Sequence, residues 1–320
     1  MIEPGLYTTV QDYPGRVGYW DVGIPPSGPM DSFSFRCANW LVGNPASSAG
    51  LELTMTGPTI KFHVDAIIAI CGADMAVALD SRIVPIATAT PVRRGETLSI
   101  GRPKGAGARS YLAFQSGLKI APYLGSKSTF PNGALGGHKG RPLIAGDYIE
   151  IVDADVDESR IEIAGNKHLP FISNEWSVGA IPGPYAAPDY FLKEDLDAIY
   201  SAAFKVHYNS NRLGYRLIGP KPRFAREDGG EGGGHPSNLH DYVYGVGTVN
   251  FTGDMPIVIG VDGPSLGGFT SAVTIPDAEL WKIGQASAGD TIRFSRWSVG
   301  RAVRARRARN RLFRSKEPKT

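Results

Sequence analysis

Glycine and proline interrupt this chain so often that long helices have little room to form. The 320 residues include forty glycines and twenty-four prolines, and neither residue recurs with a fixed period. This composition argues against helical bundles and collagen and favours short strands joined by many turns. Because numerous short strands must hide their edges, barrels are favoured over open sheets. We therefore predict a mainly β protein with a few short helices.

Three segments depart from the β pattern and show helical spacing of apolar residues. The first covers residues 32–43, with Asp31 or Ser32 placed to act as its N-cap. The other two cover residues 191–204 and 277–285. These segments are short, which agrees with a fold built mainly from strands.

The hydrophobic rhythm of the chain lapses between Asn166 and Glu175. We place a domain boundary in this interval. The prediction is a first β-barrel-like unit over residues 1–170 and a second over residues 171–300. Residues 301–320 then form a basic C-terminal tail.

Positive charge is concentrated in that tail. The net charge of +3 includes +8 from the last twenty residues, which leaves −5 on the rest. A basic segment can meet nucleic acid or anionic lipid. This one has no aromatic residue other than Phe313 and no nucleic-acid-binding motif, so we favour a solvated helical tail. No apolar run approaches about 18 residues and no signal-peptide pattern opens the chain, which predicts a cytoplasmic protein without nucleic-acid or membrane partners.

The glycine, serine and cysteine residues lack the spacing of common catalytic motifs. The glycines within 229–234 fit neither GxGxxG nor GxxxxGK[ST], so a nucleotide site is not supported. No serine lies in a GxSxG elbow, which leaves a serine hydrolase weakly supported. Cys37 and Cys71 belong to no metal-ligand spacing, and their apolar surroundings favour buried free thiols.

The densest group of polar residues lies in the central stretch, residues 228–268. Its candidate functional residues are His235, Asn238, His240, Asp241, Asn250 and Asp254. The two histidines are five residues apart, whereas one helix face aligns them at four, so no metal site is predicted. A histidine near a carboxylate can act as a general base or bind an anion. The same groups can instead satisfy one another within an ordered loop, and the residues alone leave both interpretations open.

A second candidate is the strand-like segment around Gly214 and Tyr215. Arg212 and Arg216 flank this pair, and strand alternation would place both arginines on one face. Two guanidinium groups on one face suit a carboxylate or phosphate. Pairing with acidic residues on a surface strand is the alternative.

Several long stretches of this sequence together resemble one enzyme family. They include GLYTTVQDYPGRVGYWDVGIPPSGPMD, NSNRLGYRLIGP, HPSNLHDYVY, VNFTGDMPIVI and DGPSLGGF. The family is the carboxyltransferase region of biotin-dependent urea carboxylases (urea amidolyases), which is homologous to allophanate hydrolase subunit 2 and to one subunit of bacterial 5-oxoprolinase. The resemblance covers about residues 3–294. The form of the central stretch is similar to that of urea carboxylases, whereas 5-oxoprolinase subunits have a shorter and different loop there.

The resemblance implies a fold of two cyclophilin-like β-barrel units and a ligase reaction. In that reaction CO2 passes from carboxybiotin to urea, or to guanidine in some members, and urea gives allophanate. The implied partners are a second carboxyltransferase half related to allophanate hydrolase subunit 1, a biotin carboxylase that uses ATP, and a biotin carrier. No methionine of this chain neighbours a lysine, so it has no biotinylation site, and it has no ATP-binding loop. The chain should therefore be inactive without these partners.

With this family in view, we assign candidate roles to individual residues. His235, His240 and Asp254 are the predicted catalytic residues. Contacts to substrate or biotin are predicted for Asn238, Asp241, Asn250, Arg212, Tyr215, Ser27 and Asp31. Two other functions remain open: lactam hydrolysis as a 5-oxoprolinase subunit, and a regulatory protein that binds and inhibits a kinase.

Overall fold

The computed structural model describes residues 1–152, 156–157, 170–226 and 229–314. The chain divides into two compact units. The first comprises Met1–Val17, Pro26–Ile172 and Arg311–Thr320, and the second comprises Gly18–Pro25 and Ser173–Asn310. The interval in which we predicted a boundary, residues 166–175, lies partly outside the described residues.

Antiparallel sheets make up the first unit. Its strands are β1 (Tyr7–Gln11), β2 (Gly50–Thr54), β3 (Thr59–Lys61), β4 (Ala66–Gly72), β5 (Met75–Leu79), β6 (Arg82–Ile83), β7 (Thr90–Val92), β8 (Thr97–Pro103) and β9 (Arg109–Phe114). One sheet has five strands in the order β1-β2-β9-β4-β7. The other has four strands in the order β3-β8-β5-β6.

Strand β4 shows why this unit needs continuous apolar runs. Its sequence, AIIAICG, does not alternate with polar residues because both faces are buried. Ile68 and Ile70 pack into one apolar cluster of the unit. Ile67 and Cys71 face the other way, into a cluster with helix α1 (Ser32–Leu41). The N-cap of α1 is Asp31, which accepts hydrogen bonds from two backbone amides, as predicted.

A closed barrel forms the second unit. Its strands are β10 (Glu175–Pro182), β11 (Phe204–Val206), β12 (Gly214–Ile218), β14 (Thr248–Thr252), β15 (Met255–Ile259), β17 (Ser271–Thr274) and β18 (Thr291–Arg296). The order around the barrel is β10-β17-β14-β15-β12-β11-β18, and β10 pairs with β18 in parallel. Two further strands, β13 (Asn238–Val243) and β16 (Leu266–Phe269), pair only with each other among the described residues. We call this two-stranded element the ribbon.

Helices are few, as predicted. Besides α1, the described residues contain α2 (Lys193–Ser201), α3 (Leu280–Gln285) and α4 (Val299–Arg314). The mainly β prediction is confirmed, and the closed barrel is found in the second unit. No helix of the described residues is long and apolar enough to cross a membrane.

The basic tail differs from a fully solvated segment. It is helical, as expected, up to the end of α4. Ala302, Arg309 and Phe313 recur at helical spacing and are buried. The Arg309 guanidinium donates to the backbone oxygen of Asp277 at 2.6 Å. One face of the helix is therefore packed, and only the remaining faces are exposed.

Candidate functional site

A cleft lies between the outer face of the barrel and the ribbon. Its barrel side is a row of three residues that pair across neighbouring strands, Arg216 on β12, Ile257 on β15 and Asn250 on β14. The ribbon side is formed by Tyr244, Leu266, Gly267 and Phe269. The cleft has a volume of about 300 Å³, which is at the lower end of the range for small-molecule sites.

Strand alternation explains which residues reach the cleft. Tyr215 precedes Arg216 in β12, and Val258 follows Ile257 in β15. Because neighbouring residues of a strand point to opposite faces, Tyr215 and Val258 are buried on the face opposite the cleft. On the ribbon, a glycine at 267 is required sterically. A Cβ there would lie 2.5 Å from the ring of Tyr244. Gly267 therefore leaves room for the Tyr244 ring at the edge of the cleft.

Asn250 and Tyr244 place buried polar atoms in the cleft. The Oδ1 atom of Asn250 accepts a hydrogen bond of 2.6 Å from the Ser271 hydroxyl, while its Nδ2 group makes no hydrogen bond of normal geometry. The Tyr244 oxygen accepts the Phe269 amide at 2.7 Å. Burial raises the pKa of Tyr244, and the Phe269 amide and the Asn250 side chain act in the opposite direction. The Asn250 Nδ2 group therefore interacts with the Tyr244 oxygen, but without a hydrogen bond of normal geometry.

Arg216 supplies the positive charge of the cleft. Its Nη1 atom donates to the backbone oxygen of Asn209 at 2.7 Å. No carboxylate within the described residues forms an ion pair with it. The remaining walls are mainly apolar, from Leu213, Ile259, Pro264, Leu266 and Phe269. A cleft of this kind suits a small planar group that carries a polar or developing negative oxygen.

His235 and Asp254 come together at the turn after β14. The His235 Nε2 atom lies 3.4 Å from Asp254 Oδ1, and Lys221 Nζ lies 3.0 Å from Oδ2. The hydrogen bond from Lys221 is the main cause of the lowered pKa of Asp254. The backbone N–H of Ser237 donates to His235 Nδ1, which assigns the proton of the neutral ring to Nε2. His235 therefore donates toward Asp254.

The other candidates in the central stretch lie on the ribbon or at its edge. The side chain of Asn238 donates to the backbone oxygen of Gly233 at 2.9 Å. His240 and Asp241 are exposed on β13 and do not line the cleft. Across the described residues, no three His, Cys, Asp or Glu side chains group closely enough to hold a metal ion.

Arg212 and Arg216 do not share a strand face, contrary to the expectation from alternation. Arg212 precedes β12 and is 5% exposed. Its guanidinium makes two hydrogen bonds to the carboxylate of Asp262, at 2.7 and 3.1 Å. Because the chain turns before β12, the period-two pattern does not extend back to Arg212. Tyr215 is buried, on the face of β12 opposite the cleft.

Ser27 and Asp31 belong to the first unit. Asp31 is fully buried, and its carboxylate caps α1 and accepts the Ser34 hydroxyl at 2.6 Å. Ser27 is buried with a φ of 54° in the Gly-Pro-rich loop. Its hydroxyl oxygen has no hydrogen-bond partner among the described residues.

The first unit also contains a larger cavity, of about 480 Å³. Its floor is apolar and includes the core residues Leu51, Phe62 and Phe114. Two carboxylates at its rim already have partners, since Asp147 binds Arg141 and Glu150 binds Lys119. The cavity therefore offers fewer uncommitted polar groups than the cleft of the second unit does.

Two residues of the cleft, Arg216 and Tyr244, were not among the predicted site residues, although Arg216 was considered with Arg212 as a candidate anion contact. Arg216 could have been preferred over Arg212, because it lies within the same strand as Gly214, two positions further on. Residues two positions apart on a strand share a face, and Gly214 and Arg216 both line the cleft. Tyr244 ends the motif HPSNLHDYVY, and no local pattern separates it from other aromatic residues. Its role depends on β13 pairing with β16, which is a contact distant in sequence.

Comparison with known proteins identifies the family. Residues 22–296 match the family model of the carboxyltransferase domain, subdomains A and B. This match covers most of the chain, and the chain belongs to this family of carboxyltransferase domains.

The most informative relatives fall into two groups. The urea amidolyase of Saccharomyces cerevisiae is 50% identical over 296 residues, which are 91% of this chain and 16% of that protein. A putative urea carboxylase of Emericella nidulans is 44% identical over 98% of this chain and 25% of its own length. A 5-oxoprolinase subunit of Escherichia coli is 34% identical over 98% of this chain and 96% of its own length.

A solved structure supports the same grouping. The urea carboxylase of Kluyveromyces lactis superposes with a TM-score of 0.93 at 44% identity, covering 99% of this chain and 29% of that one. This chain therefore spans about a sixth to a third of the length of the urea-processing relatives that it matches.

Proposed function

We propose that this chain is the carboxyltransferase component of a biotin-dependent carboxylase that acts on urea or guanidine. With urea the product would be allophanate. The observation that carries the proposal is the 50% identity to a urea amidolyase over 91% of this chain. The chain spans only a fraction of such relatives, so the proposal includes partners. These are a second carboxyltransferase half, an ATP-using biotin carboxylase and a biotin carrier.

The donors of the cleft fit a ureido or carboxyl oxygen. Asn250 Nδ2, the Tyr244 hydroxyl and the Arg216 guanidinium all retain donor capacity. Carboxybiotin, when bound, supplies the carboxyl group that is transferred. Donors fixed in advance stabilise negative charge that develops on an oxygen, and they do so more strongly where apolar walls exclude water. Holding the substrate nitrogen beside the carboxyl group lowers the barrier further.

The substrate nitrogen must lose a proton when its new N–C bond forms. Of the predicted catalytic residues, His235 already uses both ring nitrogens, and Asp254 is bound by Lys221. His240 is exposed on β13 and does not line the cleft, so the role of proton acceptor that we propose for it requires a substrate that extends from the cleft to β13. His235 and Asp254 fix the β14–β15 turn beside the cleft. Ser27, Asp31, Asn238, Asp241, Arg212 and Tyr215 remain secondary candidates for substrate or biotin contacts.

A replacement experiment tests the proposal. The chain is exchanged for the matching segment of S. cerevisiae urea amidolyase, and ATP hydrolysis is measured with urea, guanidine or 5-oxoproline. We expect urea or guanidine to stimulate hydrolysis. Asn250→Ala should lower the stimulated rate about 10²-fold, as for removal of an oxyanion donor. Asn174→Ala, which removes an exposed amide, is the control. An unchanged rate for His240→Ala would assign that residue a structural role.

Lactam hydrolysis is the second candidate function, because this chain matches almost the full length of a 5-oxoprolinase subunit. The same replacement separates the two functions. Stimulation by 5-oxoproline and none by urea or guanidine would support a lactam substrate and contradict carboxylation of urea.

A further inference from the structure

Glu231 joins three separate segments of the second unit. Its Oε2 atom accepts the Tyr242 hydroxyl at 2.8 Å. Its Oε1 atom accepts the Tyr190 hydroxyl at 3.0 Å and an Arg226 N–H at 2.9 Å. The hydrogen bond from Tyr242 is the main cause of the lowered pKa of Glu231. Burial and the Glu231 carboxylate raise the pKa of Tyr190 to about 12. The carboxylate is thus ionised and holds three donors.

The glycines around Glu231 allow it to reach the ribbon. Gly230 and Gly232 lie directly against the first residues of β13. A Cβ on Gly230 would overlap the backbone oxygen of Asn238, and a Cβ on Gly232 would lie 2.7 Å from that of Leu239. Only glycine permits so close an approach of two backbones. The glycine-rich loop, which fits no nucleotide motif, therefore serves to place the Glu231 carboxylate beside the ribbon.

Tyr242 connects this carboxylate to the cleft. It lies on β13 opposite Gly267 of β16, and Gly267 itself lines the cleft. Tyr244 follows two positions later, where it contributes its hydroxyl to the cleft. The Tyr242 ring also packs on Tyr185, with ring centroids 4.6 Å apart. Glu231 and Tyr185 therefore fix the strand β13, which ends one residue before Tyr244.

The ribbon needs such support because it has few other attachments. It is a pair of strands outside the barrel sheet, and two-stranded elements are marginal by themselves. Its pairing is also irregular between Asn238 and Tyr242. The hydrogen bond that Tyr242 donates to the charged Glu231 carboxylate acts where the regular ladder resumes.

We propose that Glu231 is a positioning residue of the cleft, which holds the ribbon through Tyr242 and so sets the place of the Tyr244 hydroxyl opposite Asn250. The inference deepens the proposed function, and it rests on that function only for the identity of the ligand. Glu231 touches no residue of the barrel row, so it acts on the ligand through the ribbon.

A set of three variants of the full chain tests this role. Tyr242→Phe removes the bond on the ribbon side, and Glu231→Gln weakens all three bonds. Tyr190→Phe is the matched control, because it removes one phenol from the same carboxylate at a residue that is not part of the ribbon. Amide hydrogen exchange is measured for residues 238–243 and 266–269. Binding is measured by calorimetry with biotin amide, which carries the ureido ring without a free carboxylate.

We expect Tyr242→Phe and Glu231→Gln to speed exchange of the ribbon amides about tenfold, which corresponds to losing one hydrogen bond to a charged group. Both should weaken biotin amide binding several-fold, and Tyr190→Phe should change neither. Equal effects of Tyr190→Phe and Tyr242→Phe, or unchanged exchange in both Tyr242→Phe and Glu231→Gln, would overturn the inference. If the unaltered chain fails to bind biotin amide, that result counts against the proposed function, and exchange alone decides the role of Glu231.

Discussion

Two buried polar clusters of this protein differ in how fully their hydrogen bonds are used. In the first unit, the Tyr111 hydroxyl accepts the Asp31 amide at 2.7 Å and donates to Glu52 at 3.0 Å. Glu52 also accepts the Met30 amide at 2.7 Å and lies 3.5 Å from the Arg109 guanidinium. In the second unit, Asn250 and Tyr244 are also buried, but the Asn250 Nδ2 group makes no hydrogen bond of normal geometry.

The difference separates a structural cluster from a candidate site. Burying a polar group is costly unless a partner satisfies it, so native interiors use nearly all of their hydrogen-bonding capacity. The Glu52 carboxylate and the Tyr111 hydroxyl follow that rule and fix the start of α1 against the sheet. The cleft departs from it beside an open space, which is the expected arrangement where a ligand completes the bonds.

The largest effect should come from breaking the structural cluster. Glu52→Gln removes the carboxylate charge that lies 3.5 Å from the buried Arg109 guanidinium, and both side chains are at most 4% exposed. We expect the free energy of unfolding to fall by about 3–5 kcal/mol, as for other broken buried pairs. Urea denaturation measures this change. Glu150→Gln removes a carboxylate from the exposed pair with Lys119 and should leave the transition where it is. Equal shifts in the two variants would contradict the distinction.

Tyr244→Phe should show the opposite balance between stability and activity. In the replacement enzyme described above, we expect the urea-stimulated rate to fall about 10²-fold. The free energy of unfolding should fall by only about 1 kcal/mol, because one amide loses its acceptor. Tyr200→Phe removes a phenol that donates to the backbone oxygen of Ala180 elsewhere in the unit, and it serves as the control. A loss of stability without a loss of rate would make the cleft a structural cluster too.

The sequence predicted the fold better than the site, for a physical reason. Strands such as β4 and helix α1 with its Asp31 cap follow from local patterns, because spacing and capping involve neighbouring residues. Asn250, which we predicted from a dense polar stretch, lines the cleft. Arg216 and Tyr244 were not assigned, because their position depends on strand pairing and on the ribbon lying over the barrel. Glu231 was overlooked because its glycine neighbours fit no known motif, although they are what brings it to Tyr242.

The bond between Asp147 and Arg141 should make the free energy of unfolding depend on pH in the acid range. The Arg141 guanidinium holds the pKa of Asp147 well below its ordinary 3.8. A lowered folded-state pKa adds stability that is complete above the unfolded value and is lost as the pH falls toward the folded value. We therefore expect Asp147→Asn to flatten the fall in stability between about pH 5 and pH 2.5. Denaturation series at several pH values measure the slope. An unchanged slope would show that the bond to Arg141 contributes little.

Asp254→Asn should give the smallest effect of this series on stability. Its partner Lys221 is 77% exposed and Asp254 is 37% exposed, so water and salt screen their attraction. We expect the free energy of unfolding to fall by less than about 1 kcal/mol at low salt. That difference should vanish at about 0.5 M salt, where the Debye length is shorter than at physiological ionic strength. Lys221→Gln should behave in the same way, since it removes the other half of the pair. A loss that persists at high salt would show that Asp254 stabilises the turn through its contact with His235. Asp254 would then have a structural role like that of Glu52.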